Sequence, residues 1–259
     1  MKRGLVCSAA LAVVTAAVLA PRVSTAKCMY RRMQAFPRAG VHLPLNGRIV
    51  VEGYGADEDL VKDIAVHHPE LWSAGDRVPL RAAAMNVGGF NITQVVLVPE
   101  RQLLPKTKYT LRIYAPERPA SDDSEEKTRE TFTWTTGAST DRAAPRWQAP
   151  PRAADRVYRE LGCGPEAYVT VHVPVADAQP VQVLAEVRPA GGGPTARYLL
   201  QPQEGAIQIG HDMCSGPFQL ADKGRYDVTL TAFDAAGNAS PAPGPTLQIV
   251  APSPKDATP

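Results

Sequence analysis

The sequence has few of the features that mark catalytic or cofactor-binding proteins. Aromatic residues make up 6% of its 259 residues, and only three are tryptophans. Its four cysteines form no closely spaced metal-binding pairs, no HExxH helix is present, and no serine has the flanking glycines of a nucleophile elbow. We therefore expect no enzymatic activity and no cofactor.

Long apolar runs are missing except at the N-terminus. Lys2 and Arg3 precede an apolar run from Leu5 to Ala20, and the small residues before Lys27 suit cleavage after Ala26. This is the pattern of a secretory signal peptide over residues 1–26. No later stretch reaches the roughly 18 apolar residues of a membrane-spanning helix. We predict an exported protein (periplasmic, cell-surface or extracellular) without membrane insertion after cleavage.

An excess of charge of either sign is also missing. The formal net charge is +2, but removal of residues 1–26 lowers the 28 basic groups to 25 against 26 acidic groups. A nearly neutral surface gives no electrostatic attraction for nucleic acid or anionic membrane. The predicted partner is instead an unknown protein or cell-surface polymer.

Turn-forming residues are abundant and separate short alternating runs. The 25 prolines and 20 glycines lie between the apolar stretches, which favours an all-β fold. Alternation predicts core-facing side chains, which are Tyr109, Leu111, Ile113, Phe132 and Trp134 in the first half and Val169, Val171, Val173, Val175, Val181, Val183, Ala185, Val187, Tyr226, Val228, Leu230 and Ala232 in the second. The segment 57–72 is predicted as a short helix or an irregular connection.

One signature occurs twice. Asp222-x-Gly-x-Tyr226-x-Val228 resembles the tyrosine corner of Ig-type sandwiches, and Leu103-Leu-Pro-Lys-Thr-Lys-Tyr109 is a weaker copy. Two copies predict two tandem Ig-like antiparallel β-sandwich domains after the signal peptide.

Further residues make the first half resemble bacterial Ig-like domains of S-layer and envelope proteins. They are Asn46-Gly-Arg-Ile-Val-Val, Val96-Leu-Val-Pro with Leu104-Pro-x-Thr-x-Tyr109, and Thr131-Phe-Thr-Trp-Thr-Thr-Gly137. The run from Tyr226 to Asn238 is similar to Ig-like and fibronectin-like repeats of bacterial surface proteins. This resemblance implies sandwiches without activity of their own. The predicted divisions are residues 37–137 and 153–251 for the two domains, 138–152 for a proline-rich linker, and 252–259 for a disordered tail; residues 27–36 are taken as an unpatterned leader.

Cysteine use fits export. Cys7 leaves with the signal peptide, and Cys163 and Cys214 both lie in the second domain. We predict a Cys163–Cys214 disulfide, with Cys28 unpaired. Connectivity cannot be deduced from sequence, so pairing of Cys28 with either of the other two stays open.

Three kinds of side-chain cluster are candidates for a site. His67-His68 with Glu70, and His211 with Asp212 and Cys214, are metal-like but lack established ligand spacings. The acidic residues Asp122, Asp123, Glu125 and Glu126 lack the EF-hand ladder. Trp72 and Trp147 are candidates for a sugar-stacking platform.

Three functions follow. The first is a secreted, non-enzymatic Ig-like module protein that acts through protein or surface contacts in the bacterial envelope or outside the cell. The alternative is a carbohydrate-binding module that uses Trp72 and Trp147. A metal-dependent hydrolase that uses His67, His68 or His211 is the third.

Overall fold

The protein has an all-β fold, as the alternating sequence predicted. The computed structural model describes residues 31–64, 66, 69–114 and 128–256. The predicted signal peptide and Cys28 lie outside these residues and stay predictions. No helix in the described part of the chain is long and apolar enough to cross a membrane.

The first half forms one curled sheet of eight strands with a short helix beside it. The strands are β1 (Arg31–Phe36), β2 (His42–Leu43), β3 (Ile49–Gly55), β4 (Glu70–Ser73), β5 (Asp76–Val87), β6 (Ile92–Pro99), β7 (Lys108–Tyr114) and β8 (Thr128–Thr136), and the helix is α1 (Glu58–Ile64). Their order in the sheet is β1-β3-β6-β5-β4-β7-β8-β2. All pairings are antiparallel except that of β2 with β8.

Strand β5 joins the two halves of this sheet. Its first residues pair with β4 and its later residues pair with β6, with a register shift between Ala82 and Ala84. Such a bulge bends a strand and increases its twist. The curled sheet therefore closes around one core.

That core contains the aromatic side chains that alternation placed inside. Tyr109 and Trp134 are fully buried, with Leu71, Val95 and Leu111 among the residues around them. The hydroxyl of Tyr109 accepts a hydrogen bond from the backbone N–H of Leu104 at 3.2 Å. This is the backbone contact that defines a tyrosine corner.

The second half contains ten strands. They are β9 (Arg146–Trp147), β10 (Arg152–Leu161), β11 (Gly164–His172), β12 (Val175–Ala176), β13 (Gln182–Pro189), β14 (Ala196–Leu200), β15 (Ala206–His211), β16 (Arg225–Phe233), β17 (Ala239–Pro241) and β18 (Leu247–Val250). One sheet has the order β10-β11-β15, and a larger one has the order β14-β13-β16-β17, with β18 also paired to β16. The short strands β9 and β12 pair with each other.

A second core lies between these sheets. The inward residues of β11, β13 and β16 are buried as predicted, whereas Val175 in β12 and Val181 just before β13 are only partly buried. The hydroxyl of Tyr226 accepts a hydrogen bond from the backbone N–H of Ala221 at 2.7 Å. Both predicted tyrosine corners therefore make the same contact, five residues upstream of the tyrosine.

Strand β10 is the edge of the three-stranded sheet. Its side chains are mostly exposed. Its register with β11 shifts between Ala153 and Arg156, and it also lies near β18 and the C-terminal turn at Pro254–Asp256.

Three segments differ from their predictions. The leader at residues 27–36 ends in a true strand, β1, because Met33 and Ala35 contact the first core. The linker at residues 138–152 contains β9, and Trp147 packs against the second core. Ser253 is 2% exposed, so the predicted tail is ordered as far as the turn at Pro254–Asp256. For segment 57–72, the structure has the helix α1 followed by β4.

Candidate binding site at the junction of the two halves

Apolar side chains from both halves meet in a third hydrophobic cluster. Phe36, Val50 and Val96 come from the outer face of the first sheet, and Leu199 comes from β14. Val98, Leu184 and Phe233 pack against the cluster. Because the cluster excludes water between the sheets, it holds the two halves together.

The side chain of Gln94 extends β14 across this junction. Its Oε1 accepts a hydrogen bond from the backbone N–H of Leu199 at 2.8 Å, and its Nε2 donates to the carbonyl of Leu199 at 3.1 Å. The amide therefore replaces a neighbouring strand at the free edge of β14. Gln94 is 1% exposed, so water does not satisfy these groups.

A carboxyl group lies beside this amide. Glu52 accepts hydrogen bonds from Gln34 and, at 3.2 Å, from Nε2 of Gln94. Burial raises the pKa of Glu52, and the hydrogen bonds from its neighbours oppose the rise. The hydroxyl of Tyr198 lies next to Glu52 and Gln94 but makes no well-aligned hydrogen bond. Burial raises the pKa of Tyr198 well above its usual value.

A second polar contact crosses the junction at Arg48. Its guanidinium lies over the ring of Phe233, with its central carbon 4.6 Å from the ring centroid. Its backbone N–H donates to the carbonyl of Ala235 at 2.8 Å. Burial lowers the pKa of Arg48, and the charge of Asp234 opposes that effect.

The linker is bonded to both halves where it begins. Asn46 exchanges two hydrogen bonds with the backbone of Asp141, at 2.8 and 2.9 Å. Asn238, from the second half, donates to the carbonyls of Asp141 and Ala143 at 3.2 and 3.3 Å. The linker is thus part of the junction.

Two loops pair across the junction at its other end. Phe90 and Gly216 exchange backbone hydrogen bonds at 2.9 and 3.0 Å, and the N–H of Gly89 donates to the carbonyl of Pro217 at 2.9 Å. A Cβ at Gly216 would lie 2.3 Å from the backbone of His211. Glycine is therefore required for the loop to fold back against β15.

An open cleft of about 370 Å³ lies next to these paired loops. Its floor is the outer face of β11 and β15, because Tyr168, Thr170 and Gln208 point away from the second core. The walls come from the end of β14, from the loop after β15 and from Ile92 of the first half. A Cβ at Gly210 would lie 2.1 Å from the carbonyl oxygen of Ala167, so glycine allows β15 to approach β11 closely below the cleft.

The lining is rich in neutral hydrogen-bonding groups. Gln201, Gln203 and Gln208 line the cleft, and no hydrogen bond among the described residues uses their side-chain amides. Asp212 is the one carboxylate in the lining, and its Oδ1 accepts hydrogen bonds from the N–H groups of Cys214 and Ser215 at 2.7 and 2.6 Å. The cleft contains no lysine or arginine.

The two tryptophans are not brought together. Trp72 lies in β4, and the guanidinium of Arg77 covers its ring at 3.6 Å from the centroid. Trp147 belongs to the second half, and its Nε1 donates to the carbonyl of Ser240 at 2.9 Å. They do not form one platform.

The metal-like clusters were only partly placed. His67, His68 and the acidic loop with Asp122, Asp123, Glu125 and Glu126 lie outside the described residues. Nδ1 of His211 is 2.9 Å from the carbonyl of Asp212, and its ring contacts Phe90 edge-on. Within the described ranges, no group of three or more His, Cys, Asp or Glu side chains is arranged to hold a metal ion.

The predicted Cys163–Cys214 disulfide is wrong. Cys163 is a free, exposed thiol in the turn between β10 and β11, whereas Cys214 is disulfide-bonded. The backbone N–H of Cys163 donates to the sulfur of Met213 at 3.4 Å. The backbone N–H of Cys214 donates to Oδ1 of Asp212, and its carbonyl accepts a hydrogen bond from Nδ2 of Asn91 in the first half.

Comparisons with known proteins give no family. No family model matches the sequence, and no curated protein matches it. Solved structures match over most of this chain with low similarity. They include pullulanase type I from Bacillus subtilis str. 168 complexed with maltose, with 11% identity, a TM-score of 0.24, and 82% of this chain and 24% of that one covered. The FN1–FN3 domains of chicken CNTN1 match with 13% identity and a TM-score of 0.27, and the match covers 83% of this chain and 63% of that one. The N-terminal part of the bacterial S-layer protein SbsC matches with 11% identity and a TM-score of 0.26, and the match covers 85% of this chain and 43% of that one. This chain therefore spans less than two thirds of each of these three structures.

Proposed function

We propose that the protein is a non-catalytic binding protein of the cell envelope or extracellular space. It binds a neutral, hydroxyl-rich segment of a cell-surface polymer, a saccharide chain, in the cleft beside the junction. The observation that carries this proposal is the set of three glutamine amides in the cleft, none of which bonds to the described protein. The sequence pattern of a signal peptide supports the location.

The composition of the cleft favours a neutral ligand. The lining has no lysine or arginine, its one carboxylate is engaged in a turn, and its one imidazole, that of His211, lies against the carbonyl of Asp212. The cleft therefore offers little to attract an anionic or cationic group. An amide both donates and accepts hydrogen bonds, as a sugar hydroxyl does. A volume of about 370 Å³ falls in the range of small-ligand pockets, so the cleft fits one or two sugar units of a longer chain.

The apolar residues of the cleft add contact area. Ile92, Leu200 and Pro217 provide apolar surface between the amides, and Tyr168 adds an aromatic ring with a hydroxyl. Ligand sites typically combine such surface with a few polar groups that fix orientation. Because the walls come from both halves, the hydrogen-bonded junction keeps the cleft in one shape.

Binding to a panel of neutral oligosaccharides, by array and then by calorimetry, tests the proposal. We expect Gln208→Ala to weaken binding of the best ligand by about tenfold, the effect of losing about 1.4 kcal/mol. Gln248→Ala is the matched control, since Gln248 is an exposed glutamine in β18. A silent array would contradict saccharide binding, and cleavage of a bound oligosaccharide would contradict the non-catalytic role.

Binding of a protein through the same face is the second candidate. The exposed edge strand β10, which lies in the same sheet as the floor of the cleft, favours it. Retention of a protein partner by Gln208→Ala, together with a silent array, would support this candidate over the saccharide.

A further inference from the structure

Four polar side chains form one row across the outer face of the first sheet. Gln34, Glu52, Gln94 and Asn86 occupy directly paired positions of β1, β3, β6 and β5. Gln34 and Gln94 donate to the two carboxyl oxygens of Glu52, and Asn86 donates to Oε1 of Gln94 at 2.9 Å. The row is therefore one connected hydrogen-bond network, and Glu52 is its one acidic member.

Strand β14 of the second half lies on this row. Gln94 bonds to both backbone groups of Leu199, and its bonds to Glu52 and Asn86 use the rest of its hydrogen-bonding capacity. Tyr198, the preceding residue, is 1% exposed, and its hydroxyl lies next to Glu52 without a well-aligned hydrogen bond. Tyr198 and Leu199 thus cover the carboxyl group.

The surroundings of Glu52 favour its neutral form while β14 is in place. Among the described residues, no lysine or arginine forms an ion pair with Glu52, and Arg32 of β1 acts on it only through its charge from an exposed position. Glu58, at the start of α1, adds negative charge near Tyr198. Burial therefore raises the pKa of Glu52, although the hydrogen bonds of the row oppose the rise. The hydroxyl of Tyr198 stays neutral, because burial raises its pKa well above the usual value.

We infer that this row is a protonation-sensitive latch between the two halves. While the carboxyl of Glu52 is neutral, β14 stays on the first sheet, and once the carboxyl is ionised, β14 separates so that water reaches it. An ionised group without a counter-charge is costly to keep away from water. Separation of one edge strand removes that cost, and each half keeps its own core.

The latch also controls one wall of the cleft, a consequence that rests on the proposed function. Leu200 and Gln201 line the cleft and directly follow the two residues that cover Glu52. Ile92, another wall residue, lies two residues before Gln94 in β6. Separation of β14 therefore moves Leu200 and Gln201 away from Ile92, and the cleft holds its ligand only in the closed form.

Hydrogen exchange of the unliganded full chain between pH 4 and 8 tests the latch. The readout is the protection factor of the Leu199 N–H, the ratio of its intrinsic to its measured exchange rate, which removes the direct effect of pH on exchange. Because Glu52 has the higher pKa in the closed form, the stability of that form is complete below the open-form pKa and is lost as pH rises to the closed-form pKa. We expect the protection factor to fall about tenfold for each pH unit between these two pKa values. It should level off at the pH where the side-chain carboxyl shift of Glu52 titrates.

Two variants separate Glu52 from other causes. Glu52→Gln stays neutral and should keep a constant Leu199 protection factor. Glu100→Gln, the matched control at an exposed glutamate after β6, should behave as the parent protein does. The N–H of Leu103, bonded to the carbonyl of Leu45 at 2.9 Å, should stay more protected than that of Leu199, because the latch opens without unfolding the first core.

Several results would overturn the latch. They are a Leu199 protection factor that is constant with pH in the parent protein, one that falls equally in Glu52→Gln, and one that equals that of Leu103 at every pH. If Glu52→Gln does not fold, the parent protein decides, since a plateau away from the titration of Glu52 also contradicts the inference.

Addition of ligand tests the link to the cleft. The probe is the neutral oligosaccharide that binds best on the array. A ligand that needs the closed form should raise the Leu199 protection factor by 1 + [L]/Kd, about tenfold at ten times Kd. Binding that leaves this protection factor unchanged contradicts control of the cleft. A silent array contradicts the proposed function instead, and the exchange of the unliganded protein still decides the latch.

Discussion

Replacement of Gln94 by alanine tests how the junction is held together. Gln94 belongs to β6, yet its amide bonds to both backbone groups of Leu199 in β14. Removal of the amide leaves the N–H and C=O of Leu199 without partners in a site where Leu199 is 5% exposed. It also removes one of the donors to Glu52.

The expected cost follows from those unpaired groups. A buried donor or acceptor that loses its partner costs about 1–3 kcal/mol, so two such groups give a loss of about 2–6 kcal/mol in the free energy of unfolding. At about 2–4 °C per kcal/mol for a chain of this size, Tm falls by about 4–24 °C. Gln94→Leu fills the same space without hydrogen bonds and should be destabilised almost as much as Gln94→Ala.

Calorimetry and amide hydrogen exchange provide the assay. The N–H of Leu199 should lose protection in both Gln94 variants and keep it in the control Gln248→Ala, whose stability should change by less than about 0.5 kcal/mol. If Gln94→Leu restored full stability, the loss in Gln94→Ala would come from a cavity, and the hydrogen-bond reasoning would be refuted.

Two further predictions concern single groups. Tyr226→Phe removes the acceptor of the Ala221 N–H and should lower the free energy of unfolding, measured by denaturant titration, by about 0.5–1.5 kcal/mol. Tyr158→Phe is the control, because the hydroxyl of Tyr158 bonds to Glu160 on the surface, and it should change the free energy of unfolding by less than half as much. Equal losses would contradict the role of the tyrosine corner. Because burial raises the pKa of Glu52, ionisation of this carboxyl disfavours the folded state. Stability should therefore fall as pH rises from the unfolded pKa of about 4.3 to the higher folded pKa. Glu52→Gln should lack that part of the decrease when Tm is measured from pH 4 to 8, and a difference from the parent protein that is independent of pH would contradict the assignment.

Much of the fold could be predicted from the sequence because burial on one face of a strand leaves a period of two. Val169, Val171 and Val173 alternate with polar residues, and the structure buries them at 1% exposure or less. Strand β1 was missed because Arg31 and Arg32 begin it and only Met33 and Ala35 face the core. Strand β9 was missed because a strand of two residues among prolines is too short to show the alternation of buried and exposed side chains.

The cleft could not be predicted in the same way. Its residues come from β6, β11, β14, β15 and two loops, and none of these segments has a motif. The prediction of a Cys163–Cys214 disulfide was wrong for a related reason. It assumed that two cysteines of the second half lie close together, whereas the carbonyl of Cys214 accepts a hydrogen bond from Asn91 of the first half. Gly210 and Gly216 were the available signals, since each marks a close approach of backbones, but sequence alone does not say which backbones.

The edge strand β10 has a consequence for behaviour at high concentration. An unpaired strand edge is a template on which another chain extends the sheet, and here the side chains of the strand are exposed as well. The register shift between Ala153 and Arg156 twists the strand, and five charged residues lie along it, which are Arg152, Asp155, Arg156, Arg159 and Glu160. Charged side chains and a bulge both oppose the pairing of an edge strand with a second chain, so two copies that approach edge to edge meet on strands that do not match in shape. We therefore expect this edge to resist the growth of fibrils by addition of further copies.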